Sequence, residues 1–194
     1  MIEVYEPAED SYLLSEVLAS KIPRLLNVNF NLKFLEIGAG SGINLQAAFS
    51  SGIKKENIFS CDINEEAVKY CKKLGFNCEL SDLFEAFKGG VSVRGTLVPL
   101  KFDLIIFNPP YLPLDKREPK SSRVSTTSGK KGNEIIIRFL KHAKDFLDKD
   151  GSIFIITSSL SEQINFNKLG YKAKEISSKN LFFEKLSVWE CLKI

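Results

Sequence analysis

Phe102-Asp103-Leu104-Ile105-Ile106-Phe107-Asn108-Pro109-Pro110-Tyr111 is the stretch that decides the fold. A near-continuous apolar run is what a parallel strand buried on both faces requires, and this one ends in an asparagine and two prolines. Ligands of open α/β sheets sit beyond the carboxyl ends of the strands. The run therefore predicts a central strand over Phe102 to Phe107 that delivers Asn108 into an active site. Pro109 and Pro110 have fixed φ and no N–H, which leaves backbone carbonyls in one geometry. Such a turn suits an NH2 group: the Asn108 side-chain oxygen and a neighbouring backbone carbonyl, that of Pro109, can each accept one N–H bond. With both hydrogens held, the nitrogen lone pair can be aimed at an electrophile, and Tyr111 would cover the plane of the bound group.

On both sides of this run helical and strand patterns alternate, which argues for an α/β doubly wound, mostly parallel sheet with helices on both faces. Pro7 to Leu18 reads as a helix whose first turn carries the proline and two acids, Glu9 and Asp10. A strand at Lys33 to Ile37 follows, then a helix over about Gly42 to Ser50, a strand at Asn57 to Cys61 and a helix at Asn64 to Lys73 with Asn64 as N-cap. A short strand is expected at Phe76 to Leu80. Residues 85–100 are hard to read, except that Val91 to Val98 suits a hairpin turning at Gly95. After a long loop over 108–131, the apolar positions of Glu134 to Leu147 fall on one helical face. Strands at Ser152 to Thr157, Tyr171 to Ser177 and Phe182 to Lys193 complete the pattern, with Trp189 and the phenylalanines of that tail read as core. His142, the only histidine, reads as a structural residue at the edge of its helix's apolar face.

A chain of 194 residues fits one domain, expected to span 1–194. Its 44% hydrophobic and 26% charged residues are ordinary for a globular protein. No run approaches the roughly 18 apolar residues of a spanning helix, and the start of the chain lacks a basic region followed by an apolar stretch. A cytoplasmic location is expected, with no membrane partner. Four cysteines (Cys61, Cys71, Cys78, Cys191) without a C-x2-C pair read as reduced, mostly buried thiols, and no metal site is expected. A net charge of +3 does not demand nucleic acid. Lys116, Arg117, Lys120, Arg123, Lys130 and Lys131 nevertheless crowd the segment after the Asn-Pro-Pro-Tyr turn. They read as a solvated lid loop or as a docking surface for a substrate carried on or near RNA.

Glu36-Ile-Gly38-Ala-Gly40-Ser-Gly42 joins the first strand to the next helix. Closely spaced glycines let the backbone turn sharply and approach a ligand. A dinucleotide fingerprint would place its third glycine three positions after the second, where this chain has Ile43. Glu36 points in the same direction, because a carboxylate in the pocket repels a pyrophosphate and attracts a cation. S-adenosyl-L-methionine carries an ammonium and a sulfonium. Asp62, at the end of the second strand, could accept both ribose hydroxyls of its adenosine. Asp82 could accept from the adenine amino group while Leu83 packs on the ring. Three acids at three successive strand ends favour a methyl donor over nicotinamide or flavin, which need the pyrophosphate site.

The pattern Glu36-x-Gly38-x-Gly40-x-Gly42, Asp62, Asp82 and Asn108-Pro-Pro-Tyr111 resembles the seven-stranded Rossmann-like methyltransferases that act on a planar NH2 group. Val4-Tyr-Glu-Pro-Ala-Glu-Asp-Ser-Tyr-Leu-Leu14 is more diagnostic. With Cys61-Asp-Ile-Asn64 and Leu186-Ser-Val188 it is similar to the HemK-type (release-factor glutamine) methyltransferases, in particular their short archaeal and eukaryotic branch, from residue 4 to the end. The resemblance implies S-adenosyl-L-methionine as donor and, as acceptor, the glutamine of a Gly-Gly-Gln loop in a class-1 peptide chain release factor. It implies cofactor roles for Ser11, Glu36, Gly38, Asp62, Asp82 and Leu83, and amide recognition by Asn108 to Tyr111. It also implies a small zinc-binding activator on the exposed third strand, where Phe76, Cys78 and Leu80 would give that edge an apolar face. One departure stands out: family members commonly carry paired glycines before the later helix, and this chain has Ser128-Gly129-Lys130-Lys131-Gly132. Two other readings stay open. An adenine-N6 methyltransferase on DNA or RNA would grip the same NH2 geometry but needs a base-flipping pocket, and a non-catalytic donor-binding subunit would need the glycine loop and acids alone.

Overall fold

The computed structural model describes residues 6–93, 96–114 and 126–194. Strands β1 (Phe34–Ile37), β2 (Ile58–Asp62), β3 (Asn77–Leu80), β6 (Phe102–Phe107), β7 (Leu147–Ser158), β8 (Tyr171–Asn180) and β9 (Lys185–Lys193) form a seven-stranded sheet in the order β3-β2-β1-β6-β7-β9-β8. Neighbours from β3 to β7 are parallel, and β9 runs antiparallel to both β7 and β8. A hairpin of β4 (Val91–Val93) and β5 (Thr96–Val98) stands outside the sheet.

Helices α1 (Glu9–Val28), α2 (Ile43–Ser50) and α3 (Glu65–Lys73) lie on one face, and α4 (Glu134–Ala143) lies on the other. The apolar strand sequences explain why both faces are covered. Successive strand side chains point to opposite faces: Leu104 and Ile106 of β6 pack with α1 and α2, and Ile105 and Phe107 pack with Ile136, Phe139 and Leu140 of α4. Fully burying an isoleucine contributes about 1.5–3 kcal/mol, so β6 is fixed from both sides. The chain runs from β1 outward to β3, then returns to β6 on the other side of β1. That reversal places the topological switch point between β1 and β6, where a crevice opens.

Several expected boundaries move. α1 begins at Glu9 with Ala8 as N-cap, so Pro7 precedes the helix, and it continues past Leu18 to Val28 with Pro23 inside it. Buried Ile22 and packed Leu25 and Leu26 extend its apolar face beyond the proline. α4 stops at Ala143, and Leu147 opens β7 instead of closing the helix. Asn64 caps α3 as expected, its Oδ1 accepting from the Glu66 N–H at 3.0 Å. The hairpin at β4 and β5 forms as expected, and its Gly95 turn lies outside the described residues. All four cysteines are free and buried.

The tail is the larger correction. Trp189 packs on Phe166, but Phe182 and Phe183 are 101% and 93% exposed in the turn between β8 and β9. They leave the sheet at a position where no layer covers them, and β9 begins only at Lys185. The apolar edge expected on β3 is also smaller than the sequence suggests. Phe76 and Cys78 turn into the core beneath α3, and only Leu80 of that face is half exposed.

Candidate active site

A cavity of about 470 Å³ occupies the switch point, within the usual range for ligand pockets. Its wall includes Ser11, Glu36, Gly38, Gly40, Asp62, Asp82, Leu83, Asn108, Pro109 and Pro110, so ten of the expected site residues converge from five separate segments. Tyr111 is not in the wall. Its ring packs against both hydrophobic layers and its hydroxyl donates to Asp10 Oδ2 at 3.0 Å. The ring therefore fastens the turn to α1 and does not lie over the cavity.

The glycine loop takes its shape from left-handed backbone. Gly38, Gly40 and Gly42 have φ of 70°, 50° and 73°, a region costly for residues with a Cβ. A Cβ on Gly38 would also meet the Phe107 ring at 3.4 Å. The Gly38 and Ala39 N–H groups donate to the Cys61 carbonyl, and Gly40 N–H donates to Asp62 Oδ2 at 2.8 Å. Asp62 Oδ1 accepts from Asn64 N–H at 2.8 Å. Asp62 thus ties the loop to the end of β2, and burial raises its pKa despite these backbone donors. Each carboxylate oxygen can accept a further bond.

Glu36 is buried beside it. Oε1 accepts from Asn44 Nδ2 at 2.9 Å, while Oε2 has no partner among the described residues. Desolvation holds this carboxyl well above the usual carboxylate range, against the opposing pull of the Asn44 hydrogen bond. A buried carboxylate with an orphan oxygen fits a cation such as an ammonium, which would restore its charge.

At the opposite end Leu83 is the only described non-glycine residue with positive φ, at 51°. Its carbonyl is held by the Ser81 hydroxyl at 3.0 Å and the Cys61 thiol at 3.1 Å, which keep the side chain in the wall. Arg138 of α4 grips Asp82 with two bonds of 2.7 and 2.9 Å. This pair is half exposed and spans from the end of β3 to α4. Arg138 was not legible as a site residue, because only the three-dimensional packing of α4 against the β3 end brings it to Asp82.

Asn108 completes the cavity. Asp10 Oδ1 accepts from the Ser11 N–H at 2.6 Å and from the Ser11 hydroxyl at 3.2 Å. With its proton given to Asp10, Ser11 Oγ can only accept, and Asn108 Nδ2 donates to it at 3.5 Å. With Nδ2 turned toward Ser11, Asn108 Oδ1 is left buried with no donor among the described residues. Buried polar atoms are rarely left unpaired, so this acceptor marks a place for an N–H donor. Asp10, read from sequence as a helix first-turn acid, is the buried anchor of this network.

The loop before α4 accommodates the departure at Ser128. Ser128 does not adopt positive φ, and its hydroxyl accepts from the Ile135 N–H at 2.8 Å, capping α4. Gly129 and Gly132 take the left-handed positions with φ of 107° and 78°. Of the basic cluster, Lys131 pairs with Glu162 at 2.9 Å, and Lys116, Arg117, Lys120 and Arg123 lie outside the described residues, as do Val4 and Tyr5.

A doubly wound sheet with this strand order, a glycine turn without a pyrophosphate pattern and an acid-lined crevice define a methyltransferase of the S-adenosyl-L-methionine class. Residues 13–180 match the methyltransferase small domain model, and the chain belongs to that family. A candidate protein N5-glutamine methyltransferase of Methanocaldococcus jannaschii is 38% identical over 96% of this chain and 90% of its own length. Methyltransferase HEMK2 of Homo sapiens is 32% identical over 80% of this chain and 72% of its own. The eRF1 methyltransferase catalytic subunit mtq2 of Schizosaccharomyces pombe is 30% identical over 79% and 72%. Among solved structures, the E. cuniculi Mtq2-Trm112 complex, described as responsible for methylating the eRF1 translation termination factor, superposes with a TM-score of 0.64 and 20% identity across all of both chains. No described helix is long and apolar enough to cross a membrane.

Proposed function

We propose that this protein methylates the side-chain amide nitrogen of the glutamine in a Gly-Gly-Gln loop of a class-1 peptide chain release factor, in the cytoplasm. The observation that carries the reading is the orphan Asn108 Oδ1, a fixed acceptor in the wall of the crevice. The relatives add the substrate class, since their names include N5-glutamine and eRF1 methyltransferases.

Glu36 would hold the ammonium of the donor, Asp62 its ribose hydroxyls, and Asp82 with Leu83 its adenine, with Ser11, Gly38 and Gly40 shaping the site. When bound, the donor supplies a methyl group on a sulfonium, a strong electrophile. The task of the protein is then mainly positioning. Asn108 Oδ1 and the Pro109 carbonyl would each accept one N–H of the acceptor amide. Their dipoles would also stabilise positive charge developing on nitrogen. Asp10, through Ser11 and Tyr111, would keep Asn108 and its turn in register.

A small zinc-binding activator would occupy the outer edge of β3. Among the described residues no strand pairs with that edge, and open edges generally need cover. Half-exposed Tyr70 and Leu80 would supply its apolar contacts. Labelled-methyl transfer from S-adenosyl-L-methionine, with and without such a subunit, tests the reading. Incorporation into a release factor and not into DNA or RNA oligonucleotides is expected. Incorporation into oligonucleotides alone would replace it with the adenine-N6 reading, and donor binding without any transfer would replace it with the non-catalytic one.

A further inference from the structure

Phe182 and Phe183 stand side by side and fully exposed at the tip of the β8–β9 hairpin. Single exposed apolar residues are ordinary, but contiguous apolar patches mark interaction sites. Two phenylalanines offer about 300–500 Å² of contact area, and full exposure means that neither ring supports the core.

The fold assigns a location to this patch. β8 runs parallel to β7, because both are antiparallel to β9, so the tip lies at the same end of the sheet as Asn108, where the parallel strands finish. Its two roots are fastened to the acceptor turn. On one side Lys185 and Ser159 exchange backbone and hydroxyl hydrogen bonds of 2.9 Å, and two residues on the Ser161 hydroxyl donates to the Tyr111 carbonyl. On the other side Lys179 forms an ion pair with Glu9, the neighbour of the Asp10 that holds the Tyr111 hydroxyl. The rings are thus carried on a support continuous with Asn108–Tyr111.

We propose that the Phe182–Phe183 tip is a docking element for the acceptor protein, seating in an apolar depression of its surface while the acceptor loop enters the crevice. The inference rests on the protein-glutamine reading above. It explains how the enzyme would select a folded protein over a free amide, since most binding energy at protein interfaces comes from a few aromatic anchors. A second copy of this chain is a poorer occupant, because it would stand in front of the acceptor site.

The test uses the full chain with Phe182→Ser and Phe183→Ser combined, substitutions at exposed positions. Steady-state methylation is measured on an intact release factor and on a short Gly-Gly-Gln peptide, with donor affinity as a further control, and sedimentation gives the oligomeric state. The expected result is a roughly 30-fold or greater loss of kcat/KM on the intact factor, carried by KM. Peptide turnover, or donor affinity where the peptide is not a substrate, stays within about twofold. Unchanged kcat/KM on the intact factor overturns the docking role, as does an equal loss on both substrates. A dimer in the parent chain that the variant loses assigns the tip to self-association. A parent chain inactive on the release factor even with the activator subunit present removes the functional reading, and the docking role with it.

Discussion

Glu36→Gln separates two consequences of one buried carboxyl. In the ligand-free fold Glu36 is 1% exposed, and burial holds its pKa well above the usual range. The sign follows from proton linkage. Between the ordinary carboxylate pKa and the raised folded value, the folded chain holds a proton that the unfolded chain has lost. Stability contributed by this group is therefore intact at low pH and falls as pH rises through that window, by about 1.4 kcal/mol per pH unit. Glutamine removes the ionisation and keeps the shape. The variant is expected to be more stable than the parent at neutral pH, with a higher Tm and a flatter dependence on pH. Donor binding moves the other way. A hydrogen bond to a charged group contributes about 1.5–3 kcal/mol, so its loss weakens donor affinity roughly ten- to a hundred-fold. In the parent, donor binding should release a proton, and affinity should rise with pH. Thermal unfolding without ligand between about pH 5 and 8, with calorimetric titration in buffers of different ionisation enthalpy, reads all three effects. A glutamine variant that is less stable without ligand, or that binds donor as tightly as the parent, would refute the reasoning.

Further outcomes follow from the rest of the crevice. Asp62→Ala frees the Gly40 and Asn64 N–H groups together and should cost about 1–3 kcal/mol of stability, with donor affinity falling more than the turnover of saturated enzyme; calorimetry and saturation kinetics separate these. Gly132→Ala places a Cβ 2.6 Å from the Tyr111 carbonyl oxygen at a φ of 78°. The strain of about 1–2 kcal/mol should displace the Asn108–Tyr111 turn, lowering kcat with donor affinity retained; a normal kcat would show that the turn tolerates movement. Arg138→Ala breaks a half-exposed pair and should change stability by less than about 1 kcal/mol, yet weaken donor binding several-fold because Asp82 loses its orientation. Unaltered donor affinity would remove Arg138 from the site.

The parts of this molecule that follow short-range rules were legible in the sequence. The apolar β6, the glycine turn with its preceding acid, and the Asn64 cap each carry their cause within a few residues, and all fall where the sequence placed them. Elements whose boundaries depend on distant packing were not. α1 passes through Pro23 because its buried face continues against the sheet, and the Phe76–Leu80 segment spends its apolar side under α3 before reaching the edge. Phe182 and Phe183 look like core by composition alone, and only the hairpin geometry places them in solvent. In the crevice, strand-end acids announced themselves, whereas Asp10 looked like a helix first-turn acid and Arg138 like a surface cation. Their partners lie 101 and 56 residues away, at Tyr111 and Asp82.

In the proposed reaction Asn108 Oδ1 and a neighbouring carbonyl grip a planar amide nitrogen. Tandem mass spectrometry of a release factor after incubation with donor and either the parent chain or Asn108→Ala tests it most directly. One added methyl on the Gly-Gly-Gln glutamine side chain is expected with the parent, and none with a variant that still binds donor normally. Methylation by Asn108→Ala at the parent rate, or a methyl placed on any other residue, would contradict it.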